Sequence, residues 1–85
     1  MISEQMEARL NLARRVAQYV FDNTESWEMD NIGTELAYLL WALIAGPRDF
    51  VDWHVASEKS KALAEVLEKN EDLWTALVGI GAIKV

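Results

Sequence analysis

The chain has 85 residues, a formal net charge of −6 and no cysteine. This length suits one folded unit, so we expect residues 1–85 to form a single domain. The absence of cysteine excludes disulfides, thiolate chemistry and cysteine-based zinc sites, and it favours a reducing, cytoplasmic setting.

Acidic side chains dominate the middle of the chain. Between Val16 and Pro47 there are five acids and no Lys or Arg, so this third of the sequence carries a charge of −5. A nucleic-acid-binding surface needs basic side chains to neutralise phosphates, and this pattern argues against direct contact with nucleic acid. It favours a partner with a basic surface.

The sequence contains no signal for a membrane. The N-terminus lacks the basic start and apolar block of a secretion signal, and no stretch reaches the roughly 20 apolar residues that a membrane-spanning helix needs. We therefore expect a soluble protein without a membrane partner.

The first predicted helix runs from a cap at Ser3 to about Asp22, because serine is a favoured N-cap and an acidic first turn suits the helix dipole. A second apolar row beside the main stripe widens the apolar arc, so this helix should contact two neighbours. The main stripe repeats at spacings of four and three residues: Met6, Leu10, Ala13, Ala17 and Val20.

A central helix is predicted over about 31–45. Its core is Leu36–Ala45, ten residues without charge, which is too long for a typical strand and too short to cross a membrane. Asp30 or Asn31 should cap its start, and Gly46 should end it in a left-handed conformation. This composition predicts a helix that is buried on nearly all sides.

Three shorter helices are predicted in the C-terminal half. Their expected limits are Pro47 to Ala56, a helix capped by Ser57 or Ser60, and a helix from a cap at Asn70 to Gly79. The apolar tail 80–85 should pack inside the domain or in an interface. Together the elements predict an all-α fold, a compact bundle of four to five short helices around the central one.

His54 is the only histidine, so any histidine-dependent chemistry would need it. The predicted third helix places it among Phe50, Val51 and Trp53, without a carboxylate partner on the same side. We expect a hydrogen-bonded core or interface residue there. The sequence therefore predicts no catalytic residue, no metal site and no cofactor.

The segment Thr34–Leu43 resembles the second metal-binding helix of the MazG-type nucleotide pyrophosphohydrolases, in which a Glu-x-x-Asp sequence runs into an apolar helix. The resemblance would make Glu4, Glu7 and Glu35 metal ligands. The position of the final Asp is Tyr38 here, and a phenol does not replace a carboxylate as a ligand for a hard cation. A degenerate hydrolase is one alternative that this resemblance implies.

The loop after the first helix is rich in cap and turn formers, and it contains Trp27 between two acids. Counted from its first acid, the sixth residue is not glycine and the twelfth is not a carboxylate, so it does not match a calcium-binding hand. An aromatic anchor rimmed by charges is typical of a binding surface. The candidate partner-binding residues are Asp22, Glu25, Trp27, Glu28 and Asp30.

The leading functional hypothesis is a small acidic, non-enzymatic module that docks this aromatic face on a basic surface of a host protein. An inhibitor encoded by a phage or mobile element, such as an anti-CRISPR or other anti-defence or host-takeover protein, has these properties. The partner could itself be a nucleic-acid-binding protein. The alternative is a homodimeric structural or assembly module, in which surplus apolar surface and the tail 80–85 close the interface. Trp41 and Trp74 are expected in the core.

Overall fold

Helices form most of the polypeptide in the computed structural model, which describes residues 3–45 and 49–85. The all-α prediction is confirmed, and the Cα radius of gyration of 12.1 Å matches the value of about 12 Å expected for a compact domain of this length. The elements of the described residues are α1 (Glu4–Asp22), a 3₁₀ turn (Ser26–Glu28), α2 (Met29–Ala45), β1 (Val51–Asp52), α3 (Trp53–Lys59), α4 (Lys61–Glu68), α5 (Glu71–Gly79) and β2 (Ile83–Lys84).

The predicted starts of the first, fourth and fifth helices are confirmed by their caps. The side chains of Ser3, Ser60 and Asn70 each accept a hydrogen bond from the backbone N–H three residues further on, at 3.1, 3.3 and 3.1 Å. Each bond satisfies one N–H that the helix itself cannot pair. Of the two serines proposed as the cap of α4, the structure therefore selects Ser60.

The start of α2 differs from the prediction. Neither Asp30 nor Asn31 is its cap, because the helix begins at Met29 and follows directly from the 3₁₀ turn. The cap lies further upstream, where Glu25 and Glu28 form a reciprocal capping box. The N–H of Glu25 donates to the Glu28 carboxylate at 3.4 Å. Two acids of the loop thus hold the entry to the central helix.

The helix predicted from about Pro47 to Ala56 is wrong over residues 49–52, the part of its first half that the structure describes. Val51 and Asp52 form β1, which pairs in parallel with β2, and α3 begins only at Trp53. Asp52 caps α3 by accepting from the His54 N–H at 3.0 Å. Local periodicity could not show this strand because its partner comes from the far end of the chain. The predicted left-handed Gly46 lies outside the described residues.

The tail after α5 packs inside the domain. Gly81 has a φ of +81°, and its N–H donates to the Val78 carbonyl oxygen at 3.1 Å. The N–H of Ala82 donates to the Leu77 carbonyl oxygen at 3.0 Å, which completes a Schellman motif. The turn sends the tail back along the domain, where the N–H of Val51 donates to the Ala82 carbonyl oxygen at 2.8 Å.

The hydrophobic core lies between α1, α2, α4 and α5. α2 packs against α1 and α4, while α5 packs against α1 and α4. Large side chains from every one of these helices are fully buried, and the tail contributes one more. They are Val16, Val20, Ile32, Leu39, Leu43, Leu63, Leu67, Leu73, Leu77 and Ile83.

Arg9 lies inside the bundle, although the apolar pattern of α1 did not predict it there. Its side chain is 4 % exposed. Its Nε donates to the Leu43 carbonyl oxygen at 2.8 Å, and its Nη2 donates to that of Ala42 at 2.7 Å. Its Nη1 donates to the Ile80 carbonyl oxygen at 3.4 Å. One guanidinium therefore pairs carbonyl groups at the C-terminal ends of α2 and α5, where a positive charge also suits the helix dipoles.

Aromatic side chains close the side of the bundle formed by α3, α4 and α5. The Trp53 and Trp74 rings meet edge to face with centroids 5.1 Å apart, and the Trp53 Nε1–H donates to the Glu68 carboxylate at 2.9 Å. The Tyr19 hydroxyl donates to the Val66 carbonyl oxygen at 2.8 Å. The packing role expected for Trp74 is confirmed.

We expect Arg9→Met to lower the free energy of unfolding by about 2–4 kcal/mol, because methionine keeps the apolar stem but leaves buried carbonyl groups without donors. Arg14→Met, an exposed change on the same helix, should stay within about 0.5 kcal/mol of the original protein. Urea unfolding followed by circular dichroism measures both. Equal stability of the two variants would contradict the role assigned to Arg9.

A second prediction concerns the contribution of the buried tail to stability. Ile83→Ala should lower the free energy of unfolding by about 2–4 kcal/mol, because Ile83 is fully buried against the bundle. Val85→Ala removes methyl groups from an exposed residue of the same tail and should change stability by less than about 0.5 kcal/mol. Thermal and urea unfolding of the two variants would test this, and a mild effect of Ile83→Ala would show that the tail is not part of the core.

Candidate functional site

The predicted partner-binding residues lie around the junction of α1, the 3₁₀ turn and α2. Trp27 is 70 % exposed, and Asp22, Glu25 and Asp30 are exposed as well, whereas Glu28 is half-buried. Glu25 and Glu28 also form the capping box, so both have a structural role that does not depend on a partner. The binding role of these five residues stays a prediction.

The central helix is not buried on nearly all sides. Tyr38 is 58 % exposed, Trp41 is 65 % exposed and Ile44 is 46 % exposed, so the expectation that Trp41 lies in the core is wrong. The opposite side of α2 is buried against α1 and α4. The residues on that buried side are Ile32, Leu36, Leu39, Ala42 and Leu43.

Five exposed side chains of α2 form one row along the helix, and the exposed tryptophan of the 3₁₀ turn precedes this row. Their spacing of three or four residues places them on the same helical face, and all of them are exposed. From Asp30 to Ala45 the row is about 22 Å long at 1.5 Å per residue. We call the row together with this tryptophan the outer stripe, which consists of Trp27, Asp30, Thr34, Tyr38, Trp41 and Ala45.

The two ends of the outer stripe differ in chemistry. Its N-terminal part carries Asp30 and Thr34, while its C-terminal part carries Tyr38 and Trp41, with the exposed Ile44 beside them. The stripe therefore joins the acidic surface predicted from the sequence to an aromatic surface that sequence reasoning missed.

A groove of about 340 Å³ runs beside the aromatic end of the outer stripe, between α2 and α3. Tyr38 and Trp41 form one wall, and the half-exposed Phe50 and Val55 belong to the other. Three carboxylates and one ammonium line it. These charged residues are Glu35, Asp49, Asp52 and Lys59. We call it the α2–α3 groove.

Lys84 adds a cation at the rim of the α2–α3 groove. Its Nζ lies 4.4 Å from the centroid of the Phe50 ring, which is a cation–π distance. The parallel pairing of the strands, which sets Lys84 opposite Asp52, holds it there. One aromatic ring of the groove thus already accepts a positive charge from within the molecule.

Two kinds of site were considered from the sequence, one around His54 and one formed by Glu4, Glu7 and Glu35. The described residues form neither of them. His54 is exposed and not part of the core, because β1 turns Val51 inward and α3 begins immediately after it. In residues 3–45 and 49–85 no three or more His, Asp or Glu side chains are placed to hold a metal ion. Glu4, Glu7 and Glu35 of the MazG-type resemblance are therefore not brought together as a ligand set.

Comparison with known proteins gives no relative: no protein-family model, no curated protein and no solved structure matches this chain. Within the part of the chain that the structure describes, no helix is both long enough and apolar enough to span a membrane. The physical properties of the surface are thus the basis for any functional conclusion.

Because Trp41 is exposed, we expect Trp41→Ala to lower the free energy of unfolding by less than about 1 kcal/mol. Trp53→Ala, which removes a buried indole together with its ring contact and hydrogen bond, should cost about 3–5 kcal/mol. Chemical unfolding monitored by circular dichroism compares the two variants. Similar large losses in both would mean that Trp41 packs in the core after all.

Proposed function

We propose that the protein is a small acidic, non-enzymatic module that docks on a basic surface of another protein through the outer stripe. The observation that carries the proposal is the exposure of Tyr38 and Trp41 on one face of α2, with the exposed Trp27 in the 3₁₀ turn just before that helix. Tryptophan and tyrosine are the residues most enriched among the energetic anchors of protein interfaces. A contiguous exposed apolar patch rimmed by polar residues is also characteristic of an interaction site.

The exposed side chains of Trp27, Tyr38 and Trp41 contribute little to the stability of the folded domain. Burial of Trp53 and Trp74 contributes to stability, whereas Trp41 leaves most of its surface in water. Transfer of such a side chain into a partner's pocket contributes on the order of 2 kcal/mol or more at a well-packed anchor position. The exposed aromatic surface therefore has its main energetic effect in a complex.

Charge supports a basic partner. Asp30 lies on the outer stripe, and Glu35, Asp49 and Asp52 line the neighbouring groove. Complementary charges raise the association rate and disfavour acidic partners, and salt weakens both effects. Within this class we propose a host-directed inhibitor of the kind that phages and mobile elements encode, including anti-CRISPR and other anti-defence proteins, which covers a basic site on its target.

A homodimeric assembly module is the second candidate, and the exposed Tyr38, Trp41 and Ile44 favour it. The tail would not form that interface as first expected, because Ala82 and Ile83 are buried inside the domain. Two chains of net charge −6 repel one another, which opposes self-association. Sedimentation at micromolar concentration separates the candidates, since our proposal expects a monomer and the dimer module expects a dimer that Trp41→Ala dissociates.

The test is capture of a partner from host extract by the tagged full-length protein, followed by affinity measurement with the purified partner. Trp41→Ala should raise Kd by about 30-fold, which corresponds to an anchor of about 2 kcal/mol. Asp30→Lys should raise Kd by about tenfold at low salt, because it places a cation against a basic surface. Added salt should weaken binding by the original protein.

Glu65→Lys is the matched control, because it makes the same charge change at an exposed position of α4. It should leave Kd within about twofold. We prefer Asp30 to Glu25 or Glu28 for charge reversal, since the latter two hold the 3₁₀ turn and their replacement would disturb the fold. A Kd unchanged by Trp41→Ala and Asp30→Lys would refute docking through the outer stripe.

A further inference from the structure

We propose that the α2–α3 groove is a receptor for a single arginine side chain presented by the partner. This inference rests on the proposed function, because it names the group that the docking surface recognises. The guanidinium would stack on the exposed rings of Tyr38 and Trp41 and pair with the carboxylates that line the groove.

The shape and lining of the groove suit this ligand. It is shallow and open to solvent, and its volume of about 340 Å³ leaves room for one long side chain. Aromatic rings line both walls, with Tyr38 and Trp41 on α2 and Phe50 on the segment before β1. The face of an aromatic ring carries partial negative charge, so a cation is favoured there.

The charges of the groove favour a cation as well. Glu35, Asp49 and Asp52 contribute three negative charges, and the cations among the described residues are Lys59 in the lining and Lys84 at the rim, which leaves a net charge of −1. Lys84 already lies over Phe50 at 4.4 Å, so the molecule itself shows that a ring of this groove accepts a cation. Tyr38 and Trp41 are exposed, and the cation–π contact found among the described residues is made to Phe50 and not to either of them.

Arginine fits this combination better than lysine. Its guanidinium is planar and weakly hydrated, so it stacks on an aromatic face, and its donors can pair with a carboxylate in a bidentate manner. The ammonium of lysine is a compact, strongly hydrated charge, so it stacks less well on a ring and cannot form the bidentate pair with a carboxylate. The groove therefore supplies both of the contacts that distinguish arginine, rings for stacking and carboxylates for hydrogen bonding.

The inference can be tested on the full-length protein with N-acetyl-arginine amide as the probe, by nuclear magnetic resonance titration at low salt. The indole N–H of Trp41 and the backbone amides of Phe50 and Val55 should shift along one binding curve. The indole N–H of Trp27, which lies at the far end of the outer stripe, should not shift and serves as an internal control. N-acetyl-citrulline amide, a neutral analogue of nearly the same shape, should bind at least about fivefold more weakly.

Two variants assign the binding to the groove. Glu35→Gln should weaken the binding of the arginine probe about threefold without unfolding the domain, and Trp41→Ala should weaken it about fivefold or more. Glu65→Gln, on the exposed face of α4, should leave the titration unchanged. N-acetyl-lysine amide should bind more weakly than the arginine probe.

The inference fails if the arginine and citrulline probes cause the same shifts, if the lysine probe binds best, or if the shifts cluster around Trp27 instead. That failure is distinguishable from failure of the proposed function. If Trp41→Ala abolishes partner capture but the arginine probe does not bind in the groove, the docking function is supported and arginine recognition is refuted. If the probe binds in the groove but Trp41→Ala leaves the capture of every partner unchanged, the docking function is refuted.

Discussion

The architecture depends on the hydrogen bonds that Arg9 makes inside the bundle. Its guanidinium reaches the carbonyl groups of Ala42 and Leu43 at the end of α2 and that of Ile80 after α5. Such carbonyl groups have no partner within their own helix, and burying them unpaired would cost free energy. One side chain near the start of α1 thus joins the C-terminal end of α2 to the residue that follows α5.

This arrangement determines which side of α2 faces water. α1 and α4 cover the side with Leu36, Leu39 and Leu43, and a chain of 85 residues has little left to cover the other side. The short α3 and the strand pair shield it only in part, which leaves the outer stripe exposed and the α2–α3 groove beside it. The aromatic surface is thus a direct consequence of small size combined with a central helix whose second half, residues 36–45, carries no charge on any side.

Local signals in the sequence were sufficient for much of the fold. Ser3, Ser60 and Asn70 marked helix starts correctly, because a cap depends on residues within one turn. Elements that depend on distant residues were missed, since β1 exists only where Ile83 returns to pair with Val51. The surface proposed for docking was only partly visible in the sequence. Its acidic end was visible as charged residues around Trp27, while its aromatic end was hidden within a run that looked uniformly apolar.

The sequence by itself determined the helical class, most helix starts, the absence of disulfides and the acidic character of the surface. These properties follow from composition and from contacts within a few residues of the chain. Only the tertiary structure decided that Arg9 lies inside, that the tail is part of the core and that Trp41 lies outside it. The physical reason is that burial depends on which faces find a partner: periodicity can show that a helix is apolar, and packing alone selects the side that is covered.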